Sequence, residues 1–127
     1  MSDTTELVLS FIDAWSRRDL DELMGYFAPD AVYHNIPVAP VTGTDAIRAT
    51  IQGFAGGADA IEWVVHEVAE TRDGVVLTER TDRFEMGGKW IELPVMGTFE
   101  IRDGKIAAWR DYFDMNQFTS QLPGADA

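Results

Sequence analysis

The sequence predicts an α+β domain in which three N-terminal helices pack on the concave face of a curved, mixed, mostly antiparallel sheet. Three stretches within residues 3–57 carry apolar side chains at helical spacing, whereas the residues from Ala60 onward alternate between apolar and polar. Three glycine-containing pairs punctuate this second half at hairpin spacing, namely Asp73-Gly74, Gly87-Gly88 and Asp103-Gly104. Helices followed by an antiparallel meander are typical of α+β proteins, and a sheet curled into a cone leaves an apolar pocket.

Two helices are predicted before the first strand. Residues 3–18 place apolar side chains along one helical face, at Leu7, Val8, Phe11, Ile12 and Trp15. Asp19 and Glu22 resemble a capping box, which starts a second helix. Its inner stripe is expected to run from Leu20 to Phe27, because Pro29-Asp30 ends the pattern.

The first strand is predicted over 31–36, and a third helix follows it. Tyr33 and Asn35 share one face of that strand, because strand side chains alternate. Thr44 is the expected N-cap of the third helix, which Gly56-Gly57 ends. Four longer strands are then predicted at 61–70, 74–85, 89–101 and 105–113.

The predicted sheet carries apolar side chains on both faces. The strand at 89–101 has an unbroken apolar inner face, consisting of Ile91, Leu93, Val95, Gly97, Phe99 and Ile101. The opposite face of the sheet is expected to carry Trp90, Met96, Ile106 and Tyr112. Because a large exposed apolar patch often marks an interaction surface, we expect a homodimer.

Composition narrows the classes of protein to which the chain can belong. A length of 127 residues with 46% hydrophobic residues suits one globular domain over 1–127, ending in a loose tail at 122–127. The formal net charge of −12 opposes binding to nucleic acid or to an anionic membrane, which both require clustered Lys and Arg. No apolar run reaches transmembrane length and the first residues are acidic, so we expect a cytoplasmic location.

No pattern in the sequence indicates a cofactor or a metal. The absence of cysteine excludes disulfides, thiol nucleophiles and thiolate metal sites. His34 and His66 lie on different predicted strands without a ligand-rich neighbourhood. No glycine-rich loop stands between a strand and a helix at the spacing of a nucleotide-binding motif. We therefore expect a protein with no cofactor and no metal.

Three charged residues fall on strand faces that are otherwise apolar. Asp111 shares a face with Trp109 and Phe113, and Arg80 shares one with Asp82. Most Arg-x-Asp pairs are surface salt bridges that contribute about 0–1 kcal/mol, and this structural interpretation stays open here. A charge placed among core residues is costly, however, and hydrophobic replacement is often as stable. Charges kept in an apolar pocket are therefore functional candidates.

With these residues identified, the chain resembles the limonene-1,2-epoxide hydrolase family over residues 6–118. The likeness is carried by three segments, Tyr33-His34-Asn35-x-Pro37, Leu77 to Asp82, and Gly104 to Asp114. The resemblance implies a cone-shaped α+β fold shared with ketosteroid isomerases and polyketide cyclases, usually dimeric and without cofactor. By motif, Asp82 matches the acid, Asp111 the base, and Arg80 the residue that bridges them.

The resemblance also implies a water site and an apolar pocket. Tyr33 and Asn35 match the groups that help Asp111 to hold the nucleophilic water. The corresponding pocket positions are all apolar, namely Ile12, Trp15, Phe84, Leu93, Val95, Phe113 and Phe118. The expected function is direct addition of water to a small apolar, cyclic or terpene-like epoxide, giving a vicinal diol.

Two other functions fit the same predicted fold. An isomerase or cyclase would need a base beside an acidic C–H and an oxyanion hole of neutral donors. A non-catalytic binding or dimerisation module would use the polar pocket only as a ligand anchor. A carboxylate pair joined by an arginine favours water activation over both, because such a pair can divide acid and base roles.

Overall fold

The computed structural model describes residues 1–124 as a single layer of sheet covered by helices. In chain order the elements are α1 Asp3–Ala14, a 3-10 turn Trp15–Arg17, α2 Leu20–Met24, β1 Phe27–Asn35, β2 Val41–Thr42, α3 Thr44–Ala55, β3 Ala60–Glu70, β4 Val75–Met86, β5 Lys89–Arg102, β6 Lys105–Tyr112 and α4 Met115–Thr119. The strand order is β2-β1-β6-β5-β4-β3. Of the five pairs of neighbouring strands in this sheet, only β1–β6 is parallel. The α+β class and the mixed, mostly antiparallel sheet are therefore confirmed.

The described chain has a fourth helix that the sequence did not predict. Asp114 is its N-cap, and its side chain accepts hydrogen bonds from the backbone N–H groups of Asn116 (2.9 Å) and Gln117 (3.3 Å). A five-residue helix is too short to produce a periodic apolar pattern, so only the cap marks it. Residues 125–127 of the predicted loose tail lie outside the described residues, whereas Leu122 packs half-buried against the core.

The placement of Phe27 in the second helix was wrong. Gly25 ends α2, and Phe27 instead begins β1, where it pairs with Ile106 of β6. The β1–β6 register shifts between Phe27 and Val32, so Pro29 lies at an irregularity rather than ending a helix. A bulge tolerates proline because one residue there is left out of the hydrogen-bonded ladder.

The expected N-cap of α3 was also displaced by one residue. Gly43 occupies the N-cap position with φ +90°, and Thr44 is the first residue of the helix. The backbone of Gly43 accepts the first helical hydrogen bond, from Ile47 N–H (3.0 Å). A positive φ favours glycine, so the entry angle of the chain decides this cap rather than a side-chain hydrogen bond.

The inner and outer faces of the sheet follow the predicted alternation except at Ile106. Ile106 was expected on the outer face, but it is fully buried in the core. The β5–β6 register shifts between Glu100 and Ile101, and a bulge changes which face the following side chains occupy. Trp90, Met96 and Tyr112 do remain 37%, 52% and 48% exposed on the chain taken alone.

The core is an aromatic cluster between α1 and the sheet. Phe11 lies fully buried at its centre and meets five other rings edge-on, those of Trp15, Tyr26, Phe27, Phe99 and Trp109 at centroid distances of 5.1–6.1 Å. Burying one such side chain contributes about 1.5–3 kcal/mol, and edge-to-face pairs add to that. This cluster makes the sheet a rigid support for the polar residues beside it. None of the helices within residues 1–124 is long and apolar enough to cross a membrane.

Candidate active site

The strand pairing brings the predicted polar residues into one patch of the sheet. Thr78 on β4 pairs with Gly97 on β5, Gly97 pairs with Asp111 on β6, and Asp111 pairs with Asn35 on β1. One row of residues therefore crosses four strands. Arg80 lies two residues from Thr78 on the same buried face of β4.

Arg80 joins the two carboxylates directly. Its Nε donates to Oδ1 of Asp82 and its Nη2 to Oδ2 of Asp82, both at 2.9 Å. The same Nη2 donates to Oδ2 of Asp111 at 2.8 Å. Nη1 donates to the Thr78 hydroxyl at 3.1 Å. The three charged residues are only 1–3% exposed, so this is a buried network and not a surface salt bridge.

Asp111 has a second donor that the sequence did not single out. Nε1 of Trp109 donates to Oδ1 of Asp111 at 2.7 Å, while Arg80 occupies the other oxygen. Two donors, one to each oxygen, satisfy this buried carboxylate and hold its plane in place. The sequence does indicate this contact, because Trp109 and Asp111 lie two residues apart on one strand face. Trp109 was predicted only to be a core residue.

Tyr33 and Asn35 lie beside this carboxylate on the parallel strand β1. The Tyr33 hydroxyl donates to Oδ1 of Asn35 at 3.2 Å, and its ring stacks on Trp109 with centroids 4.3 Å apart. Burial, together with the negative charge of Asp111, raises the pKa of Tyr33 well above its usual value. Tyr33 is therefore a neutral hydroxyl at physiological pH.

The pKa of Asp82 is raised by its surroundings. Burial, opposed by the charge and hydrogen bonds of Arg80 and assisted by the charge of Asp111, raises the pKa of Asp82 to about 6. Burial alone lowers the pKa of Arg80, but the two carboxylates outweigh it and raise that pKa above its usual value. The guanidinium thus stays charged, and the carboxylate pair takes up one proton as the pH falls toward about 6.

A cavity of about 280 Å³ opens beside the network. Its polar lining includes Tyr33, Asn35, Asp82 and Asp111, whereas Arg80 lies behind them and outside the wall. Five predicted pocket residues line it, namely Phe84, Leu93, Val95, Phe113 and Phe118. The structure thus brings these polar and apolar residues together around one cavity. A mostly apolar lining with a few polar groups is typical of a small-molecule site.

Two predicted pocket residues, Ile12 and Trp15, are placed in the core rather than in the cavity wall. Trp63 of β3 provides that part of the wall, and Trp15 stacks against it with ring centroids 4.0 Å apart. Trp15 does not reach the cavity because the side chain of Trp63 stands between them. A residue that faces the sheet from a helix contacts the cavity only where no strand side chain intervenes. Trp15 and Ile12 therefore support the wall without forming it.

Several lining residues were missed from the sequence, namely Val38, Thr50, Gly53, Phe54, Trp63 and Met115. Phe54 lies on α3, half-buried against the core, and its ring reaches the cavity. The others depend on how α3, α4, β3 and the loop after β1 are arranged around the cavity, which no local pattern specifies. Among residues 1–124, no group of three or more His, Cys, Asp and Glu side chains could hold a metal ion.

Residues 2–124 match the limonene-1,2-epoxide hydrolase catalytic domain. The chain belongs to this family. Epoxide hydrolase EphG of Mycobacterium tuberculosis is 34% identical over 122 residues, which cover 92% of this chain and 78% of that protein. Membership confirms the resemblance found in the three sequence segments.

Solved structures agree on the fold. The structure of an M. tuberculosis LEH-like epoxide hydrolase has a TM-score of 0.80 at 29% identity and covers 94% of this chain and 88% of that chain. A Catenulispora acidiphila protein with a ketosteroid isomerase-like fold has a TM-score of 0.80 at 21% identity and covers 96% of both chains. The second likeness shows a shared architecture, not a shared activity.

Proposed function

We propose that this family member adds water directly to a small apolar epoxide and releases a vicinal diol. The observation that carries the proposal is the buried Asp82–Arg80–Asp111 network at the wall of an apolar cavity. An arginine between two carboxylates keeps them at a fixed separation and lets them differ in protonation. The name of the M. tuberculosis relative, an epoxide hydrolase, supports the same reaction.

On the base side, a water molecule is held by Tyr33, Asn35 and Asp111, which all line the cavity. The Tyr33 hydroxyl donates to Oδ1 of Asn35, which leaves the amide N–H₂ of Asn35 to donate to the water. The water in turn donates one proton to Asp111. As its oxygen forms a bond to an epoxide carbon, that proton passes to the carboxylate.

On the acid side, Asp82 carries the proton that the leaving oxygen needs. The epoxide C–O bond breaks as the ring opens, and the Asp82 proton moves to the oxygen, so no free alkoxide forms. Arg80 already binds both oxygens of Asp82, which aims the carboxyl and prevents it from rotating. After release, a proton passed from Asp111 to Asp82 through water in the cavity restores the starting state.

These steps need to supply only a moderate rate enhancement, because the strain of the three-membered ring already favours its opening. A positioned general acid or base contributes about 10²–10⁴-fold in rate. Fixing the water against the epoxide carbon adds to this by orientation. Both proton transfers occur between groups held by the same guanidinium, so one rigid unit serves both ends of the reaction.

The rival functions are less well supported by the charges at the site. An isomerase or cyclase needs an oxyanion hole of neutral donors as well as a base, whereas the two carboxyl groups here are joined by a charged arginine and suit an acid and a base in one reaction. The neighbour with a ketosteroid isomerase-like fold is 21% identical and bears on fold alone. A pure binding module has no need of a carboxyl whose pKa is raised to about 6 next to a second carboxylate.

The size and lining of the cavity support a class of substrate, and the outer face of the sheet supports a dimer. Its volume of about 280 Å³ and mostly apolar lining suit a small alicyclic or terpene-like epoxide. The outer face of the sheet carries three partly exposed apolar side chains, Trp90, Met96 and Tyr112, and their exposure supports a homodimer formed through that face.

The test of the proposal is a turnover screen with purified protein. Cyclic and terminal epoxides form the panel, and a ketosteroid with a movable double bond is the isomerase control. Diol formation from at least one apolar cyclic epoxide, with no double-bond migration in the control, is the expected result. Turnover of the ketosteroid without turnover of any epoxide would replace the proposal with the isomerase function.

A further inference from the structure

The edge of β5 that faces β6 is only partly covered by that strand. β6 ends at Tyr112, opposite Met96, so residues 89–95 of β5 have no partner in β6. Backbone N–H and C=O groups on such an edge lack the partners that a neighbouring strand provides. This uncovered edge lies beside the cavity, because Leu93 and Val95 line the cavity from the same stretch of β5.

The side chain of Gln121 covers part of this edge in the way a neighbouring strand would. Its Oε1 accepts from the backbone N–H of Glu92 at 3.0 Å, and its Nε2 donates to the backbone oxygen of Glu92 at 2.9 Å. Nε2 also donates to the backbone oxygen of Gln117 at 2.7 Å. Both donor protons of the amide and its acceptor oxygen are therefore used. The backbone fixes which way the amide points, because only its oxygen can accept from an N–H.

Gln121 thereby joins the C-terminal segment 114–124 to the sheet. Within residues 1–124, the hydrogen bonds between this segment and the rest of the chain are the two between Gln121 and Glu92. The other anchors are apolar, since Phe118 and Leu122 pack half-buried against the core. A helix of five residues is not stable by itself, so α4 depends on this docking.

The position of α4 matters because the helix forms one wall of the cavity. Met115 and Phe118 of α4 both line it. Long paired strands fix the other lining residues of β4 and β5, whereas these two depend on how a short segment is held. Gln121 is absent from the lining, so any effect that it has on a bound molecule must pass through α4.

We propose that Gln121 is a positioning residue, which holds Met115 and Phe118 in the cavity wall by attaching α4 to the uncovered edge of β5. The inference rests on the proposed function in one respect, that the molecule which this wall contacts is an epoxide. Asp82 and Asp111 belong to β4 and β6. Loosening α4 therefore weakens binding and leaves the proton transfers intact.

The test compares Gln121→Met with Gln117→Met. Methionine keeps the length of the glutamine side chain but has no amide to pair with the β5 edge. Gln117 is the matched control, because it is an exposed residue of the same helix and does not line the cavity. Its backbone oxygen, which Gln121 contacts, is retained in the control.

Hydrogen exchange followed by NMR measures the docking of α4 without turnover. The amides of Phe118 and Ser120 both bond to backbone oxygens within the same segment. Loss of two hydrogen bonds to the sheet should speed their exchange about tenfold or more in Gln121→Met, and less than about twofold in Gln117→Met. A contact without a positioning role would expose only the amide of Glu92.

Turnover of cyclohexene oxide measures the effect on the cavity. If α4 stays docked for only about a tenth of the time, KM rises about tenfold, because the competent form is that much rarer. The value of kcat should change less than about threefold, which is the pattern expected when only binding is lost. The Kd for cyclohexanol, measured by NMR titration, should rise by the same factor as KM.

The outcomes separate this role from the proposed reaction. If no epoxide is opened, yet α4 exchange and the cyclohexanol Kd respond to Gln121→Met and not to Gln117→Met, the reaction fails and the role of Gln121 stands. If epoxide is opened and Gln121→Met leaves either α4 exchange or KM within about twofold of the control, the role of Gln121 is overturned. A fall in kcat as large as the rise in KM would overturn it as well.

Discussion

Gly97 on β5 faces Asp111 on β6, and the missing side chain of Gly97 is the space in which Arg80 and Asp111 meet. A Cβ atom at Gly97 would lie 2.5 Å from Oδ1 of Asp111 and closer still to Nη1 of Arg80. Real Cβ atoms almost never approach another heavy atom within 3.0 Å. The charged network therefore depends on the absence of a side chain at Gly97.

Gly97→Ala should abolish turnover in a protein that still folds. The added methyl pushes the guanidinium and the carboxylate apart, and overpacking of this kind costs about 1–3 kcal/mol in the free energy of unfolding. Diol formation and urea unfolding of the same preparation measure the two effects. Gly57→Ala is the control, because the space around Gly57 is open. Full activity in Gly97→Ala would mean that the Arg80–Asp111 contact is dispensable.

Arg80→Lys should lower kcat by at least about 10²-fold, although it keeps the positive charge. Lysine cannot donate to both oxygens of Asp82 and to Asp111 from one planar group. Arg83 on the same strand is the matched control, since it pairs with Glu62 and Glu92 at the surface. Arg83→Lys should change kcat less than about threefold, and unfolding by no more than about 1 kcal/mol. Equal kcat losses in the two variants would refute a special role for Arg80.

The pH dependence of turnover should follow the proton on Asp82. The acid must be protonated to act, so kcat/KM should fall as the pH rises above about 6, the pKa to which burial raises this carboxyl. The value is an apparent one for the aspartate pair. Asp82→Asn should remove turnover at every pH. A profile that is flat from pH 5 to about 8 would show that no group of this pKa supplies the proton.

The same carboxyl affects stability in a direction that can be worked out. Its pKa is raised in the folded protein above the ordinary 3.8, so the folded state holds the proton more tightly. The stabilising contribution is complete below about 3.8 and is lost as the pH rises through about 6. Urea unfolding at pH 4, 5, 6 and 7 should show this decline in the unchanged protein, and Asp82→Asn should lack that component. An equal decline in both proteins would assign it to other groups.

The alternating strand pattern was sufficient to predict much of the site. Asp82 and Asp111 were placed on apolar faces from spacing alone, and the pairing of β4, β5 and β6 does bring them to one guanidinium. Alternation is a strong signal on long strands, because a shift by one residue would expose every core side chain. The family motif then supplied the separate roles, which spacing could not.

The remaining errors lie where tertiary context overrides local pattern. Ile106 was assigned to the wrong face because a bulge beside Ile101 changes the alternation, and Phe27 was assigned to a helix because its strand partner lies far along the chain. Trp63 and Gly53 reach the cavity only through the packing of β3 and α3. The homodimer and the cytoplasmic location stay predictions.

The central claim, direct attack of water, is tested most directly by a single turnover in ¹⁸O-labelled water with enzyme in excess over epoxide. An ester route would need an aspartate nucleophile and a separate base to hydrolyse the ester, whereas direct attack needs only the Asp82–Arg80–Asp111 network. The account predicts that the diol carries ¹⁸O from the first turnover and that peptides containing Asp82 and Asp111 stay unlabelled. Unlabelled diol in that first turnover, with ¹⁸O in either aspartate, would contradict it.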